Sequence, residues 1–240
     1  WSMVVADADN DGVRDVVVGY NGSIKYVKPD SNLTAFPLVT LPSSNYFLQN
    51  MNFADIDNNG WADIFGCNDV GTSKMWGNDG AGNFPATTAF FSPATYPASD
   101  NSGNYGTIWT DFDNDGDVDL YVAHCRQGVN SSTDPRRINQ LFINQGNNQY
   151  VLDSFNVHGL NIGAQTWTAS FEDIDNDTDF DLVITNHNVA SQLLLNDGAG
   201  NFTDITTGSG FVLNVTSYQS KMADFDNDGY VDIMIAGNDS

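Results

Sequence analysis

Hydrophobic residues occur in short runs, some alternating with polar residues and some continuous. The same order of runs occurs five times along the chain. Each round opens with an alternating segment, such as Leu48–Ala54 or Thr166–Glu172, and continues into an apolar segment rich in Val, Ile, Tyr and Phe. These residue types favour strands. A third short run and a fourth that opens with an aromatic residue come next, as in QLFIN and YVLDSF. The pattern predicts four strands per repeat and shows no helical periodicity.

The period of the repeat predicts the architecture. Near-copies of one acidic segment begin at Asp7, Asp55, Asp111, Asp173 and Asp224. Periods of roughly 40–50 residues are typical of propellers and solenoids, and four antiparallel strands joined by tight turns form a propeller blade. Packing such blades side by side buries both faces of the middle strands, which explains the continuous apolar runs Val16–Val18 and Leu182–Ile184. We therefore predict an all-β fold, a β-propeller of four-stranded antiparallel blades.

The repeats predict four complete blades and half of a fifth within a single β-propeller domain, residues 1–240. The blades span about residues 1–41, 48–96, 105–157 and 164–208, and the partial blade spans about 215–240. The fifth repeat stops after its second strand, and an open strand edge invites aggregation. The chain also begins at Trp1 rather than Met. We therefore expect a fragment of a longer propeller, or a fifth blade that another segment or chain completes.

Acidic residues are concentrated between the first and second strands of each repeat. The segment DFDNDGDVD at 111–119 is representative, and nineteen of the 31 acidic residues occupy positions 1, 3, 5 and 9 of the five segments. The net charge of −23 is therefore placed at defined points rather than spread over the surface. Nucleic acid is excluded as an expected partner, because a phosphate backbone requires a basic surface.

The spacing of these acids predicts calcium sites, up to five Ca²⁺ ions in all. Oxygen ligands at alternate positions, a backbone carbonyl at position 7 and a further carboxylate are typical of Ca²⁺ binding. We number the segments loop one (7–15), loop two (55–63), loop three (111–119), loop four (173–181) and loop five (224–232). The predicted ligands, with position 7 contributing its carbonyl, are Asp7, Asp9, Asp11, Val13 and Asp15; Asp55, Asp57, Asn59, Trp61 and Asp63; Asp111, Asp113, Asp115, Asp117 and Asp119; Asp173, Asp175, Asp177, Asp179 and Asp181; and Asp224, Asp226, Asp228, Tyr230 and Asp232.

The loops differ from EF-hands and from one another. An EF-hand needs a Glu at position 12 and flanking helices, whereas position 12 is apolar or Gly in all five loops and strands flank them. Mg²⁺ seldom uses all-protein cages, and Zn²⁺ prefers His and Cys. Loop two carries Asn59 at position 5 and should bind more weakly. Loop four carries Thr178 where the others have Gly, so we expect a strained or differently shaped turn.

The loop DxDxDGxxD between strands, followed by a turn and GNF, resembles the FG-GAP/VCBS-type repeat propellers, which include the calcium-bearing blades of integrin alpha subunits. The segment NDGAGNF occurs at Asn78–Phe84 and again at Asn196–Phe202. The Phe-Gly and Gly-Ala-Pro pieces of that family are not recognisable in this chain. The resemblance implies seven or eight blades, with calcium loops between strands one and two. It does not imply a particular function, because one fold hosts many activities.

The long loops predict where a partner binds. All hairpins between strands one and two share one end of the blades, and both long insertions, 92–105 and 126–138, fall at the opposite end. Long loops on a rigid scaffold commonly carry function. The candidate ligand-binding residues are Tyr96, Arg126, Arg136 and Arg137. Arginine clusters suit carboxylate or sulfate groups, and the alternative is that these arginines offset nearby acid.

Catalytic and disulfide chemistry are not indicated by the sequence. His124, His158 and His187 lie in separate repeats, and the sequence shows no acid–base partner beside them. Cys67 and Cys125 should face different blade interfaces, so we expect no disulfide between them. We predict no catalytic residue.

The function that these features favour is a non-enzymatic, calcium-stabilised binding or adhesion module, secreted or at the cell surface, for an extracellular protein or glycan. Weak calcium sites fit calcium-rich surroundings. Candidate N-glycosylation sites are Asn21, Asn32, Asn130, Asn201 and Asn214. Two alternatives remain: a subunit of a surface filament or sheath completed by neighbouring copies, and a calcium-dependent polysaccharide lyase-like enzyme. We expect no membrane insertion, since no apolar run reaches roughly 18 residues.

Overall fold

The computed structural model describes residues 2–20, 22–87, 90–94, 97, 99–211, 213 and 216–238. Within these residues the regular structure consists of strands and one short 3₁₀-helix, Pro135–Arg137. The chain divides into two compact units. The first unit comprises Trp1–Asn104 with Gly146–Gln149, and the second comprises Tyr105–Gln145 with Tyr150–Ser240.

The first unit contains two four-stranded antiparallel sheets whose strands pair in chain order. The strands of the first sheet are β1 (Ser2–Ala6), β2 (Asp15–Tyr20), β3 (Ser23–Val27) and β4 (Leu38–Thr40). Those of the second are β5 (Leu48–Ala54), β6 (Asp63–Asn68), β7 (Lys74–Trp76) and β8 (Ala86–Thr87). Each sheet is one predicted blade, and each acidic loop joins its first two strands.

The second unit contains two further four-stranded sheets and one two-stranded sheet. Their strands are β9 (Asn104–Thr110), β10 (Asp119–His124), β11 (Gln140–Asn144) and β12 (Tyr150–Leu152); β13 (Thr166–Glu172), β14 (Asp181–Asn186), β15 (Gln192–Leu195) and β16 (Thr203–Asp204); and β17 (Thr216–Ala223) and β18 (Asp232–Asn238). The fold is all-β, built from propeller blades, as predicted. The fourth strands are shorter than predicted, since β4 and β12 have three residues and β16 has two.

The middle strands confirm two-sided burial in three blades. Every residue of β6, β10 and β14 is buried, and Leu182, Val183 and Ile184 are all 0% exposed. The same expectation was wrong for the run at 16–18. There Val17 is fully buried but its two neighbours are only half-buried, because only one face of β2 is fully covered.

Each unit has its own hydrophobic core. The first centres on residues such as Leu48, Ile64 and Trp76, and the second on residues such as Tyr121 and Leu182. Aromatic residues from the repeated GNF segment complete both cores. Phe84 meets Tyr26 at a centroid distance of 4.9 Å, and Phe202 meets Phe112 at 6.1 Å. The GNF segment therefore packs against the preceding blade of the same unit. Its contact is β3 in the first unit and the acidic loop in the second.

Cys67 and Cys125 are both buried and form no disulfide, in agreement with the expectation. Burial raises the pKa of the Cys67 thiol, which keeps it protonated and poorly reactive. Over the residues that the structure describes, no helix combines the length and the apolar character that crossing a bilayer would require.

Candidate metal centres

All five acidic loops fold in the same way, because their own carboxylates accept hydrogen bonds from their own backbone amides. In loop three the amides of Asp115 and Gly116 donate to the two oxygens of Asp111, each at 3.0 Å. The amide of Asp117 donates to Oδ1 of Asp115, also at 3.0 Å. The same three bonds recur in the other loops. Positions 1 and 5 therefore wind the backbone around the carboxylates.

The winding requires left-handed backbone at positions 4 and 6. The Asn at position 4 has φ between 54° and 64° in every loop, and the Gly at position 6 has φ between 86° and 94° in four of them. Thr178 takes the same place in loop four with φ 80°. Loop four is therefore strained, which is one of the two outcomes expected from its sequence. Its backbone keeps the shape of the other loops. A β-branched residue in this region of φ is rare.

Three carboxylates in each loop bring one oxygen each to within 4.8 Å of one another. In loops one, two, four and five these carboxylates belong to positions 1, 3 and 9, and in loop three they belong to positions 1, 3 and 5. Positions 1 and 3 thus converge throughout. In each loop the residue at position 7 donates its backbone amide to the side chain at position 5. Its role as a carbonyl ligand stays a prediction.

In loops one to four the Asp at position 9 is a buried anchor, a role that the sequence did not reveal, whereas Asp232 of loop five is exposed. Asp63 is 0% exposed. Its Oδ2 accepts the amide of Ile56 at 2.9 Å, and its Oδ1 accepts the amide of Asn78 at 2.7 Å. Asp119 and Asp181 make the matching pairs of bonds in loops three and four. Each therefore joins position 2 of its loop to the end of the third strand of its blade.

The electrostatics of the loops favour a bound cation. Burial, with the neighbouring carboxylates as a smaller cause, raises the pKa of Asp63 to about 6 and that of Asp119 to about 8. Oδ1 of Asp57 and Oδ1 of Asp113 are buried and have no hydrogen-bond partner among the residues that the structure describes. Buried polar atoms are normally partnered, and clustered carboxylate oxygens are what Ca²⁺ prefers. The residues present therefore fit the predicted ion.

Two asparagines that the sequence marked only as turn residues connect neighbouring blades. Nδ2 of Asn196 donates to the carbonyl of Phe112 in loop three at 2.8 Å, and to that of Phe180 at 3.1 Å. In the first unit, Nδ2 of Asn78 donates to the carbonyl of Ala8 in loop one at 2.7 Å. Both residues open the repeated NDGAGNF segment, so the repetition itself was the signal that could have identified them.

A glycine of the same segment lies directly over position 3 of the loop in the preceding blade. Gly200 has φ 75°, and a Cβ added to it would lie 2.6 Å from Cε2 of Phe112 and 3.0 Å from Cβ of Asp113. Gly82 covers loop one in the same way, since a Cβ added to it would lie 3.4 Å from Cβ of Asp9. Only glycine combines this backbone with so close an approach. The hairpin of the next blade therefore closes each of these two acidic loops.

The predicted arginines largely organise their own loop. Arg136 makes a two-pronged ion pair with Asp134, with Nε to Oδ1 at 2.9 Å and Nη2 to Oδ2 at 2.7 Å. This contact lowers the pKa of Asp134 to about 2. Arg137 is buried and donates to the carbonyl of Asn130 at 2.8 Å. Arg126 donates to the carbonyl of Gln127. Tyr96 lies outside the described residues.

The histidines make structural contacts. Nδ1 of His158 lies 2.8 Å from the carbonyl oxygen of Gly200, and His187 packs against the ring of Trp167. The backbone amide of His124 donates to Asn139.

Three of the candidate glycosylation sites can be placed. Asn32, Asn130 and Asn201 are exposed, but the side-chain amide of Asn201 already donates to Asp197. Asn21 and Asn214 lie outside the described residues.

A cavity of about 600 Å³ lies in the first unit at the end opposite the acidic loops. The connections β4–β5, β6–β7 and β8–β9 contribute to it, which matches the end that carries the predicted long loops. Lys74 lines it, with Nζ donating to the carbonyl of Ser43 at 2.5 Å and lying 5.2 Å from the ring centroid of Tyr46. The complete lining is Ser43, Thr72, Ser73, Lys74, Met75, Ala86, Thr87, Ser92 and Pro93.

The FG-GAP-like repeat family matches four overlapping stretches that tile the chain: residues 7–66, 55–122, 111–184 and 173–235. Each match begins at position 1 of an acidic loop. No curated protein matches the chain.

Solved structures with similar folds include a lectin of Agrocybe aegerita that recognises non-reducing terminal N-acetylglucosamine. That structure is 18% identical with a TM-score of 0.57, and the match covers 97% of this chain but only 59% of the lectin. The Tc holotoxin pore of Photorhabdus luminescens is 12% identical, with a TM-score of 0.35 and 97% and 13% coverage. The V. cholerae biofilm matrix protein Bap1 is 16% identical, with a TM-score of 0.34 and 83% and 38% coverage.

Replacing Asn196 by Ala should lower the free energy of unfolding by about 2–4 kcal/mol, because the buried carbonyl of Phe112 and the partly buried carbonyl of Phe180 lose their donor. Chemical denaturation measures this value. The matched control is Asn201→Ala in the same hairpin, whose exposed side chain bonds only to Asp197 and should cost less than about 1 kcal/mol. Equal losses in the two variants would show that the bond between blades adds nothing.

Replacing Thr178 by Gly should raise the free energy of unfolding by about 1 kcal/mol, since it relieves left-handed strain. Thr178 is exposed, so little packing is lost. The reciprocal variant Gly116→Thr should destabilise by a similar amount, because a Cβ there meets nothing within 4 Å and only the backbone is strained. Denaturation curves of both variants check the pair, and two shifts of the same sign would contradict the interpretation.

Proposed function

Because the chain belongs to the FG-GAP-like repeat family, we propose that it is a calcium-stabilised, non-enzymatic binding module that acts outside the cell. The observation that carries this proposal is the convergence of three carboxylates in every one of the five acidic loops. Such groups repel one another unless a cation lies among them. The alternatives raised by the sequence, a filament subunit and a polysaccharide lyase-like enzyme, stay predictions.

The residues of each loop divide the work of holding an ion. The side chains at positions 1, 3, 5 and 9 offer oxygens, while the hydrogen bonds to positions 1 and 5 hold the backbone around them. A bound Ca²⁺ supplies the positive charge that these oxygens share. Position 9 also joins the loop to the third strand of its own blade, so ordering of the loop is transmitted to the sheet.

An extracellular setting is supported by the nature of the sites. Calcium sites of extracellular modules bind in the range of roughly 0.1–1 mM, which suits surroundings rich in calcium. We propose that the protein is secreted or displayed at the cell surface. Its net charge of −23 would be partly neutralised there by the bound ions.

We propose a glycan as the partner and the cavity of the first unit as its binding site. Its volume of about 600 Å³ lies within the range of small-molecule sites, roughly 300–1,000 Å³. Ser43, Thr72 and Ser92 offer exposed hydroxyls, and the exposed Ala86 offers a small apolar surface for a sugar ring. The same fold occurs in a lectin that recognises terminal N-acetylglucosamine, which supports testing glycans before proteins.

Millimolar calcium should raise the melting temperature of the protein relative to excess chelator. With a Kd of roughly 0.1–1 mM, a site at about one to ten times its Kd adds roughly 0.4–1.4 kcal/mol to the free energy of unfolding. Calorimetric titration should show up to five ions bound. The variant Asp113→Asn should lose one of them, whereas Asp117→Asn, which removes a charge from the same loop but no predicted side-chain ligand, should keep all. An unchanged melting temperature in calcium and chelator would refute the metal assignment.

Filling the cavity should abolish glycan binding. Thr72 is exposed at its rim, so Thr72→Trp should block the cavity while leaving the melting temperature within about 1–2 °C of the wild type. A glycan array read with both proteins checks this. The control is Thr207→Trp, an exposed position of the second unit, which should bind as the wild type does. Undiminished array signals in the Thr72 variant would place the glycan elsewhere.

A further inference from the structure

Loop one differs from the other loops in having a basic side chain on its position 3 carboxylate. Nζ of Lys28 contacts Oδ2 of Asp9, and the amide of Asp11 donates to Oδ1 at 3.3 Å. Both carboxylate oxygens of Asp9 therefore have a partner. The Asp9 side chain is only 7% exposed. The contact raises the pKa of Lys28, so the ammonium stays charged.

The Asp at position 3 of loops two and three shows how this carboxylate lies when no lysine contacts it. Oδ1 of Asp57 and Oδ1 of Asp113 are buried, and no described residue gives either oxygen a hydrogen bond. These two oxygens need a cation that the described part of the chain does not supply. In loop one the chain supplies a cation of its own.

The strand register makes Lys28 peculiar to the first blade. Val27 pairs with Val16, so Lys28 follows at the step facing Asp15, the position 9 residue. In the next three blades the residues that face position 9 in the same way are Gly77, Ile143 and Leu195, and none of them carries a charge. Gly82 closes over the pair, since a Cβ there would lie 3.3 Å from Nζ of Lys28. The ammonium is therefore held against the loop by the neighbouring hairpin.

We propose that Lys28 is a tethered cation that competes with calcium for loop one. The inference rests on the proposed calcium binding and assigns a different affinity to one of the five sites. Nζ occupies an oxygen of position 3 and adds a positive charge beside the place of the ion. Loop one therefore binds calcium more weakly than it would without Lys28, and it keeps its shape best when calcium is scarce.

The test is Lys28→Met, with Lys25→Met as the matched control. Lys25 lies in β3, three residues before Lys28, and its ammonium contacts Thr40 rather than an acidic loop. In calorimetric calcium titrations, Lys28→Met should raise the affinity of one site by roughly tenfold, and Lys25→Met should raise none. In a background of Asp7→Asn, which removes loop one as a calcium site, Lys28→Met should change no calcium affinity.

A second readout needs no calcium. In excess chelator, Lys28→Met should melt about 2–4 °C below Lys25→Met, because the carboxylates of loop one lose their counter-charge. Equal calcium affinities and equal melting temperatures in the two lysine variants would overturn the role of Lys28 alone. A wild-type protein that takes up no calcium would instead overturn the proposed function, and the competition with it.

Discussion

Repulsion among desolvated carboxylates is the constraint on which the rest of the structure depends. Each acidic loop holds three carboxylate oxygens within 4.8 Å of one another, and burial already raises the pKa of anchors such as Asp119. The loops oppose this repulsion with backbone amides that point at positions 1 and 5. Those bonds fix where the carboxylates lie, but within the described part of the chain they leave oxygens such as Oδ1 of Asp113 without a partner. A cation is the proposed partner of these oxygens.

The loops are also where neighbouring blades of one unit are joined. Asn196 donates its backbone amide to Asp181 of its own blade and its side-chain amide to Phe112 of the preceding loop, and Gly200 lets the same hairpin approach Asp113. Asn78 and Gly82 repeat this arrangement in the first unit. The folding of an acidic loop is therefore coupled to the packing of the two adjacent sheets.

Three of the five loops depart from the repeat, each in a different way. Asn59 removes a charge from loop two, Thr178 strains the turn of loop four, and Lys28 places an ammonium on loop one. Affinity at oxygen-ligand calcium sites is tuned by charge count and rigidity. Five loops with one backbone shape are thus expected to respond to calcium over a range of concentrations rather than at a single value.

The sequence alone determined the features that depend on neighbours in the chain. The bounds of β5 and β13 match the alternating segments at 48–54 and 166–172, and the left-handed turn follows from Asn and Gly at fixed positions. Tertiary structure alone decided the contacts between residues far apart in sequence. Asn78 meets Ala8 across 70 positions, Arg137 turns inward to support its loop, and Lys28 reaches Asp9. Local patterns encode backbone conformation, whereas which side chain meets which carboxylate depends on how one sheet packs against the next.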